Sequence, residues 1–225
     1  MAISELKLAK ELIRKPSITP KDAGAINVLA KNLRSLGFKC QLINFKNIKN
    51  LYAKLGKSSP NFCFAGHTDV VPVDGQPWDS DPYEVIERDG KYFGRGTCDM
   101  KGFDALALWA LVEASYLPLT RPLQIALSYD EEVGSTGAPP MIDQMLKTLP
   151  KASAVIVGEP STMLAVNGHK GGLGFSTHFV GFEVHSSILH TGVNAIMSGA
   201  KLIDWANHVN AANSAAQPTE IAAMF

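Results

Sequence analysis

Apolar residues at the start of the chain recur at three- and four-residue intervals. Over residues 3–13 that spacing predicts an amphipathic helix, closed by the two prolines of Lys15-Pro-Ser-Ile-Thr-Pro. Asp22 is a candidate N-cap for a second helix, with Ile26, Leu29, Ala30, Leu33 and Leu36 on its apolar stripe and Gly37 at its end. Residues 39–45, 51–55 and 61–65 then read as strands, the last a buried one running into Gly66. Residues 72–90 repeat Pro, Gly and Asp and read as a surface loop. Residues 102–114 have the apolar content of a buried helix. Two further strands, 123–128 and 152–157, flank a helix near 140–149. Strand and helix alternate, which predicts an α/β sandwich.

The pattern changes after Gly171-Gly-Leu-Gly. Residues 175–182 alternate Ser, Thr and His against apolar positions and read as a strand. Residues 194–210 read as a helix with Ile196, Ala200, Ile203 and Trp205 on its apolar positions. This is the expected opening βα unit of a second domain. The first domain is expected over residues 1–172 and the second over 173–225.

Composition narrows the function classes. A chain of 225 residues can build one good-sized core or two small ones. Lys plus Arg number 21 and Asp plus Glu number 21, so there is no basic excess to suggest a nucleic-acid partner. No apolar stretch reaches the length of a membrane span, and the charged N-terminus lacks the apolar core of a signal peptide. The three cysteines, Cys40, Cys63 and Cys98, are odd in number and far apart. They predict no disulfide framework and a reducing, cytoplasmic setting.

Candidate chemistry lies just beyond the apolar runs. His67 and Asp69 stand in Phe-Ala-Gly-His-Thr-Asp, and Asp99 in Gly-Arg-Gly-Thr-Cys-Asp-Met-Lys-Gly. Glu131 and Glu132 stand in Ser-Tyr-Asp-Glu-Glu, and Glu159 in Val-Gly-Glu-Pro. Open α/β sheets bind ligands at the carboxyl ends of their strands. One imidazole and several carboxylates gathered there make a hard, N/O-rich metal site suited to hydrolysis of an amide. His67 and Asp69 face the same way on an extended segment, so Asp69 can take the second ring N–H of a metal-bound His67. Asp130, Glu131 and Glu132 repel one another at a strand end, a cost that a cation removes. Each segment alone also has a plainer reading: a histidine in a polar turn, a capping aspartate, a solvated acidic turn, a turn glutamate.

Taken in order along the chain, these motifs resemble those of the zinc-dependent deacylase and exopeptidase superfamily. It includes aminoacylase, acetylornithine deacetylase, succinyl-diaminopimelate desuccinylase and glutamate carboxypeptidase. The resemblance covers essentially the whole chain. It implies a three-layer α/β/α zinc-exopeptidase-like catalytic domain and the start of an α+β lid domain that dimerises. It also implies two zinc ions, with cobalt a possible substitute. His67 and Glu159 would bind one ion, Asp99 would bridge, and Glu132 would bind the other. Glu131 would be the general base, and Asp69 would orient His67. His185, in Val180-Gly-Phe-Glu-Val-His-Ser-Ser, matches the lid histidine that holds the oxyanion in a partner subunit. Val184 stands where the family more often has a small residue. The implied substrate is a small N-acylated amino acid and the implied assembly a homodimer.

Within the superfamily, Gly168-His-Lys-Gly, His185-Ser-Ser and Gly192-Val-Asn-Ala-Ile resemble acetylornithine deacetylase. The implied reaction releases acetate and ornithine, a step of arginine biosynthesis. The segment Leu12-Ile-Arg-Lys-Pro-Ser-Ile-Thr-Pro is equally at home in desuccinylases, so succinyl-diaminopimelate, of lysine biosynthesis, is the alternative substrate. The family's catalytic domain resumes after the lid and there supplies a histidine to the second zinc. His169, His178, His190 and His208 sit in no matching motif, so the second ion would keep only Asp99, Glu132 and water. A further alternative is therefore an inactive, truncated piece of such an enzyme. A binding module without catalysis is the third, and the presence of Glu131 speaks against it.

Overall fold

The computed structural model describes residues 4–56, 61–166, 168 and 171–217. Ile3, the expected start of the first helix, lies outside them, as do His169 and Lys170 of the Gly168-His-Lys-Gly motif. The chain forms two compact units, Met1–Met163 and Leu164–Phe225.

The first unit opens with α1 (Glu5–Ile13), where the Ser4 side chain accepts the Lys7 N–H, and α2 (Ala25–Ser35). The N-cap of α2 is Gly24, at φ 87°, and not Asp22 as expected; Asp22 lies two residues upstream and still accepts the backbone N–H groups of Gly24 and Ile26 at 3.2 and 3.1 Å. Strands β1 (Lys39–Phe45), β2 (Ile48–Leu55) and β3 (Phe62–His67) follow. A short hairpin pairs β4 (Ile86–Arg88) with β5 (Lys91–Phe93). It corrects the expectation of an unbroken loop over 72–90. Its two turn residues, Asp89 and Gly90, both have positive φ, 54° and 71°. Asp-Gly is the dipeptide that a two-residue hairpin turn favours, and it closes a pairing too short to show as an alternating run. The long helix α3 (Lys101–Ser115), β6 (Leu123–Ser128), α4 (Ala138–Thr148) and β7 (Ala154–Val157) complete the unit.

The sheet runs β1-β2-β6-β3-β7. The strands β6, β3 and β7 are mutually parallel, and β1 and β2 add an antiparallel flank. Alternation along the strands sorts the two faces. Leu51, Ala53, Ile125 and Leu127 join the main core with Leu12, Leu29, Leu33, Leu108 and Leu111 of α1, α2 and α3. Tyr52, Cys63 and Ala126 face the other way and pack on Met141 of α4 and on Leu149. The unit is thus three-layered, with a mixed sheet between helices. Pairing of His67 with Ser128, and of Ala65 with Val157, brings the ends of the three parallel strands to one rim.

The second unit holds a 3-10 turn, Ser186–Thr191, and α5 (Ala195–Ala215), whose N-cap Asn194 accepts the Met197 N–H at 3.0 Å. The expected strand over 175–182 does not form. Its one pairing among the described residues is an isolated bridge from Phe182 to Val193. Alternation makes a segment fit for a sheet, but a strand also needs a neighbour to pair with. All three cysteines are free. Among the described residues no helix is long and apolar enough to cross a membrane.

Candidate metal centre

His67 is the last residue of β3 and is almost completely buried, at 1% exposure. Its neighbour Gly66 explains the depth. A Cβ there would lie 2.6 Å from Asp104 Oδ1 and 3.0 Å from Met100 Cε. Only glycine lets the start of α3 come this close, and the Met100 sulfur in turn accepts the His67 N–H at 3.2 Å. Gly158 plays the same part after β7, where a Cβ would fall 2.0 Å from the Phe103 ring.

Asp69 organises the surroundings of His67. His67 Nδ1 lies 3.1 Å from the Asp69 carbonyl oxygen and 3.3 Å from Asp69 Oδ1. The same carboxylate accepts the backbone N–H groups of Glu131 and Glu132, at 3.2 and 3.1 Å, and the Thr19 hydroxyl at 3.1 Å. Asp69 is fully buried. Burial alone would push its carboxyl up, but the His67 hydrogen bond and charge, with the Glu132 and Thr19 donors, hold it below the usual range.

With Nδ1–H turned to Asp69, Nε2 points at carboxylates. Asp99 Oδ1 is 3.0 Å away, Glu159 Oε1 3.6 Å and Glu131 Oε2 3.8 Å. In the neutral imidazole that Nε2 is an acceptor, and an acceptor 3.0 Å from a carboxylate oxygen repels it. Something positive must lie between them. A proton can serve: burial lowers the His67 pKa, yet Asp69, Glu159 and Asp99 outweigh it and raise the value from 6.5 to about 9. A divalent cation serves better, since it also relieves the carboxylates. Burial, then the charge of Asp99, pushes Glu132 up; burial, with Asp99 and Glu131 against the pull of His67, pushes Glu159 up.

Two ligand sets follow from the distances. His67, Asp99 and Glu159 offer one donor atom each within 4.8 Å of one another, and so do His67, Glu131 and Glu132. This donor set, one nitrogen with carboxylate oxygens, fits zinc, cobalt or manganese. The first set is the group expected around the first ion together with the expected bridge. Glu132 falls into the second set with Glu131 and His67, and the charge of Asp99 also reaches it. Asp130, the first of the three consecutive acids, turns inward instead and accepts from Thr136 Oγ1 and the Gly137 N–H at 2.8 and 2.9 Å. A cleft of about 510 Å³ opens beside the cluster, with His67, Glu131 and Glu159 at one end and Met141, Met145 and Val155 along it.

His185 belongs to the second unit and is exposed. The Ser187 N–H points to its Nδ1 at 3.2 Å, which leaves the ring proton of the neutral form on Nε2.

Sequence reasoning overlooked two buried groups behind the cluster, Asp104 and Lys101, and the half-buried Thr19. Asp104 is fully buried with neither carboxyl oxygen hydrogen-bonded among the described residues, and burial raises its pKa well above the ordinary value. Lys101 is also fully buried; burial lowers its pKa to about 8, and Nζ donates to the Lys15 carbonyl at 2.6 Å. Both were detectable, because they fall in helical register with Ala105, Leu108 and Val112 on the buried stripe of α3. Thr19 left no such signal, since its contact with Asp69 spans fifty positions.

Residues 63–222 match the family described as Peptidase family M20/M25/M40. A succinyl-diaminopimelate desuccinylase of Pelagibacter ubique (strain HTCC1062) is 36% identical over 218 residues, covering 89% of this chain and 56% of that protein. One of Caulobacter sp. (strain K31) is 42% identical over 167 residues, covering 72% and 42% respectively. Among solved structures, the M20 family metallo-carboxypeptidase Sso-CP2 of Sulfolobus solfataricus superposes with a TM-score of 0.63. It is 26% identical, and the match covers 69% of this chain and 37% of that one. The chain spans about half the length of the curated relatives it matches.

Proposed function

The chain belongs to peptidase family M20/M25/M40, and we propose that it carries the metal-binding half of an amidohydrolase acting on small N-acylated amino acids. The observation behind this reading is the 3.0 Å approach of His67 Nε2 to Asp99 Oδ1, with Glu159 3.6 Å from the same nitrogen. His67, Asp99 and Glu159 would hold one zinc ion, and Glu132 with Asp99 a second, with cobalt able to replace either. Bound there, the metal supplies Lewis acidity and lowers the pKa of water.

The remaining work falls to side chains. Asp69 keeps His67 in the tautomer that frees Nε2. Glu131, half-exposed at the mouth of the cluster, takes a proton from the attacking water and returns it to the leaving amine. His185, delivered by the lid of a second copy, donates through Nε2–H to the oxyanion that forms on the carbonyl.

The relatives' names favour succinyl-diaminopimelate as substrate over acetylornithine, the first expectation from the sequence. Acetylornithine remains the second reading, carried by the Gly168-His-Lys-Gly and His185-Ser-Ser motifs. A side-by-side hydrolysis assay of the zinc-loaded chain tests both, with Glu131→Gln as control. Faster release of succinate than of acetate supports desuccinylation; the reverse order supports the deacetylase. Bound zinc without turnover of either substrate would leave the 225 residues as a metal-holding piece alone. Turnover that survives Glu131→Gln contradicts the assignment of the base.

A further inference from the structure

Two motifs remain without a role in the chemistry above: Pro16-Ser-Ile-Thr-Pro20, and Lys101 of Asp99-Met-Lys-Gly. They meet behind His67. Lys101 Nζ donates to the Lys15 carbonyl at 2.6 Å. The Ser17 hydroxyl donates to the Thr68 carbonyl at 2.6 Å, and the Val70 N–H returns to the Ser17 carbonyl at 3.0 Å. Thr19 Oγ1 then donates to Asp69 Oδ2 at 3.1 Å. Residues 15–19 are thus tied on both sides of Asp69 and to the helix that follows Asp99.

We propose that residues 15–19 form a buttress for the metal centre, and that Thr19 is a positioning residue acting through Asp69. The inference rests on the metal reading above. Asp69 has two oxygens and four donors to serve: His67 Nδ1–H, the Glu131 and Glu132 N–H groups, and Thr19. Oδ1 faces His67 and Glu131, while Oδ2 faces Glu132 and Thr19. The Thr19 hydroxyl therefore fixes the rotation of the carboxylate about its Cβ–Cγ bond. Together with the Asp69 carbonyl, 3.1 Å from Nδ1, that rotation sets where Nε2 of His67 points, and it sets where the loop bearing Glu131 and Glu132 begins. Without the hydroxyl, Oδ2 keeps one donor and the carboxylate can turn. Partners that orient a metal ligand typically change affinity by 10- to 100-fold on removal, and Thr19 stands one bond further out.

Cobalt(II) titration of the 225-residue chain, followed by visible absorption and by melting temperature, tests this. Thr19→Val keeps the shape and removes the donor; Thr19→Ser keeps the donor and removes a methyl. Thr19→Val is expected to weaken cobalt binding by about tenfold and alter the absorption bands, while Thr19→Ser stays within about twofold of wild type. The metal-free melting temperatures of the two variants should differ little, which separates positioning from loss of fold. Wild-type cobalt affinity and spectrum in Thr19→Val overturn the proposal, as does equal weakening in Thr19→Ser. A wild-type chain that binds no cobalt instead overturns the metal reading itself, and this inference with it.

Discussion

Asp69 holds His67 from behind, with Oδ1 3.3 Å from Nδ1, and so turns Nε2 to within 3.0 Å of Asp99 on the open side. The pair sets both the tautomer of the imidazole and its direction. Asp69→Asn keeps the size but removes the charge and can present an amide N–H to a ring that needs an acceptor. Zinc affinity should fall by about 10- to 100-fold, read by calorimetric titration, with the circular dichroism of the chain unchanged.

The same pair predicts a pH dependence. In the metal-free chain His67 titrates near 9, so at neutral pH it carries a proton that zinc must displace. Apparent zinc affinity should therefore rise by about tenfold per pH unit up to that value and then level off, for one proton released. Calorimetry in buffers of different ionisation enthalpy counts the proton directly. A flat profile between neutral pH and 9 contradicts the raised value.

Stability without metal should move in the opposite sense. The folded pKa of His67 exceeds its ordinary 6.5, so its contribution is fully present below 6.5 and is lost as pH rises through about 9. Asp69 is held low instead, so its contribution is present at neutral pH and is lost on acidification. Melting temperatures of the metal-free chain across this range, with His67→Gln as reference, should show the alkaline loss in wild type only.

Asp104 offers a stabilising substitution. Its carboxyl is held above its ordinary 3.8 by burial, so its contribution falls as pH rises above 3.8. Asp104→Asn keeps the shape and removes the titration. The variant should melt higher than wild type at neutral pH, and the gain should shrink towards pH 4, near the ordinary value.

Gly66 permits the close approach of α3 to β3. Gly66→Ala places a Cβ 2.6 Å from Asp104 Oδ1, so β3 or α3 must shift. A loss of roughly 1–3 kcal/mol in urea unfolding is expected, with weaker zinc binding because His67 moves with the strand. Gly75→Ala is no neutral control, since its φ of 73° strains any side chain.

Most of the first unit was legible because its elements follow simple periods. The stripe of Ile26, Leu29, Ala30 and Leu33 is buried as its spacing predicts, and β6 occupies the predicted 123–128. The positions of His67, Asp69, Asp99, Glu131, Glu132 and Glu159 were legible as well, because each ends or follows a strand of one parallel set or the Gly-rich turn before α3, whereas His185 of the second unit has no such place. Three things were hidden. The β4–β5 hairpin rests on a turn dipeptide within a segment otherwise like a loop. The 175–182 segment carries a strand's alternation without a strand's partner. The buttress of Ser17 and Thr19 arises from contacts between distant positions, which no local period encodes.

The central claim is that the imidazole of residue 67 shares a divalent ion with neighbouring carboxylates. Zinc K-edge X-ray absorption on the zinc-loaded chain tests it most directly, because Cys98 stands next to Asp99 as the competing ligand. The account predicts one imidazole nitrogen at about 2.0–2.1 Å with oxygen ligands and no sulfur, and loss of the imidazole signal in His67→Ala. A sulfur shell at about 2.3 Å, or a spectrum unchanged in His67→Ala, would contradict it.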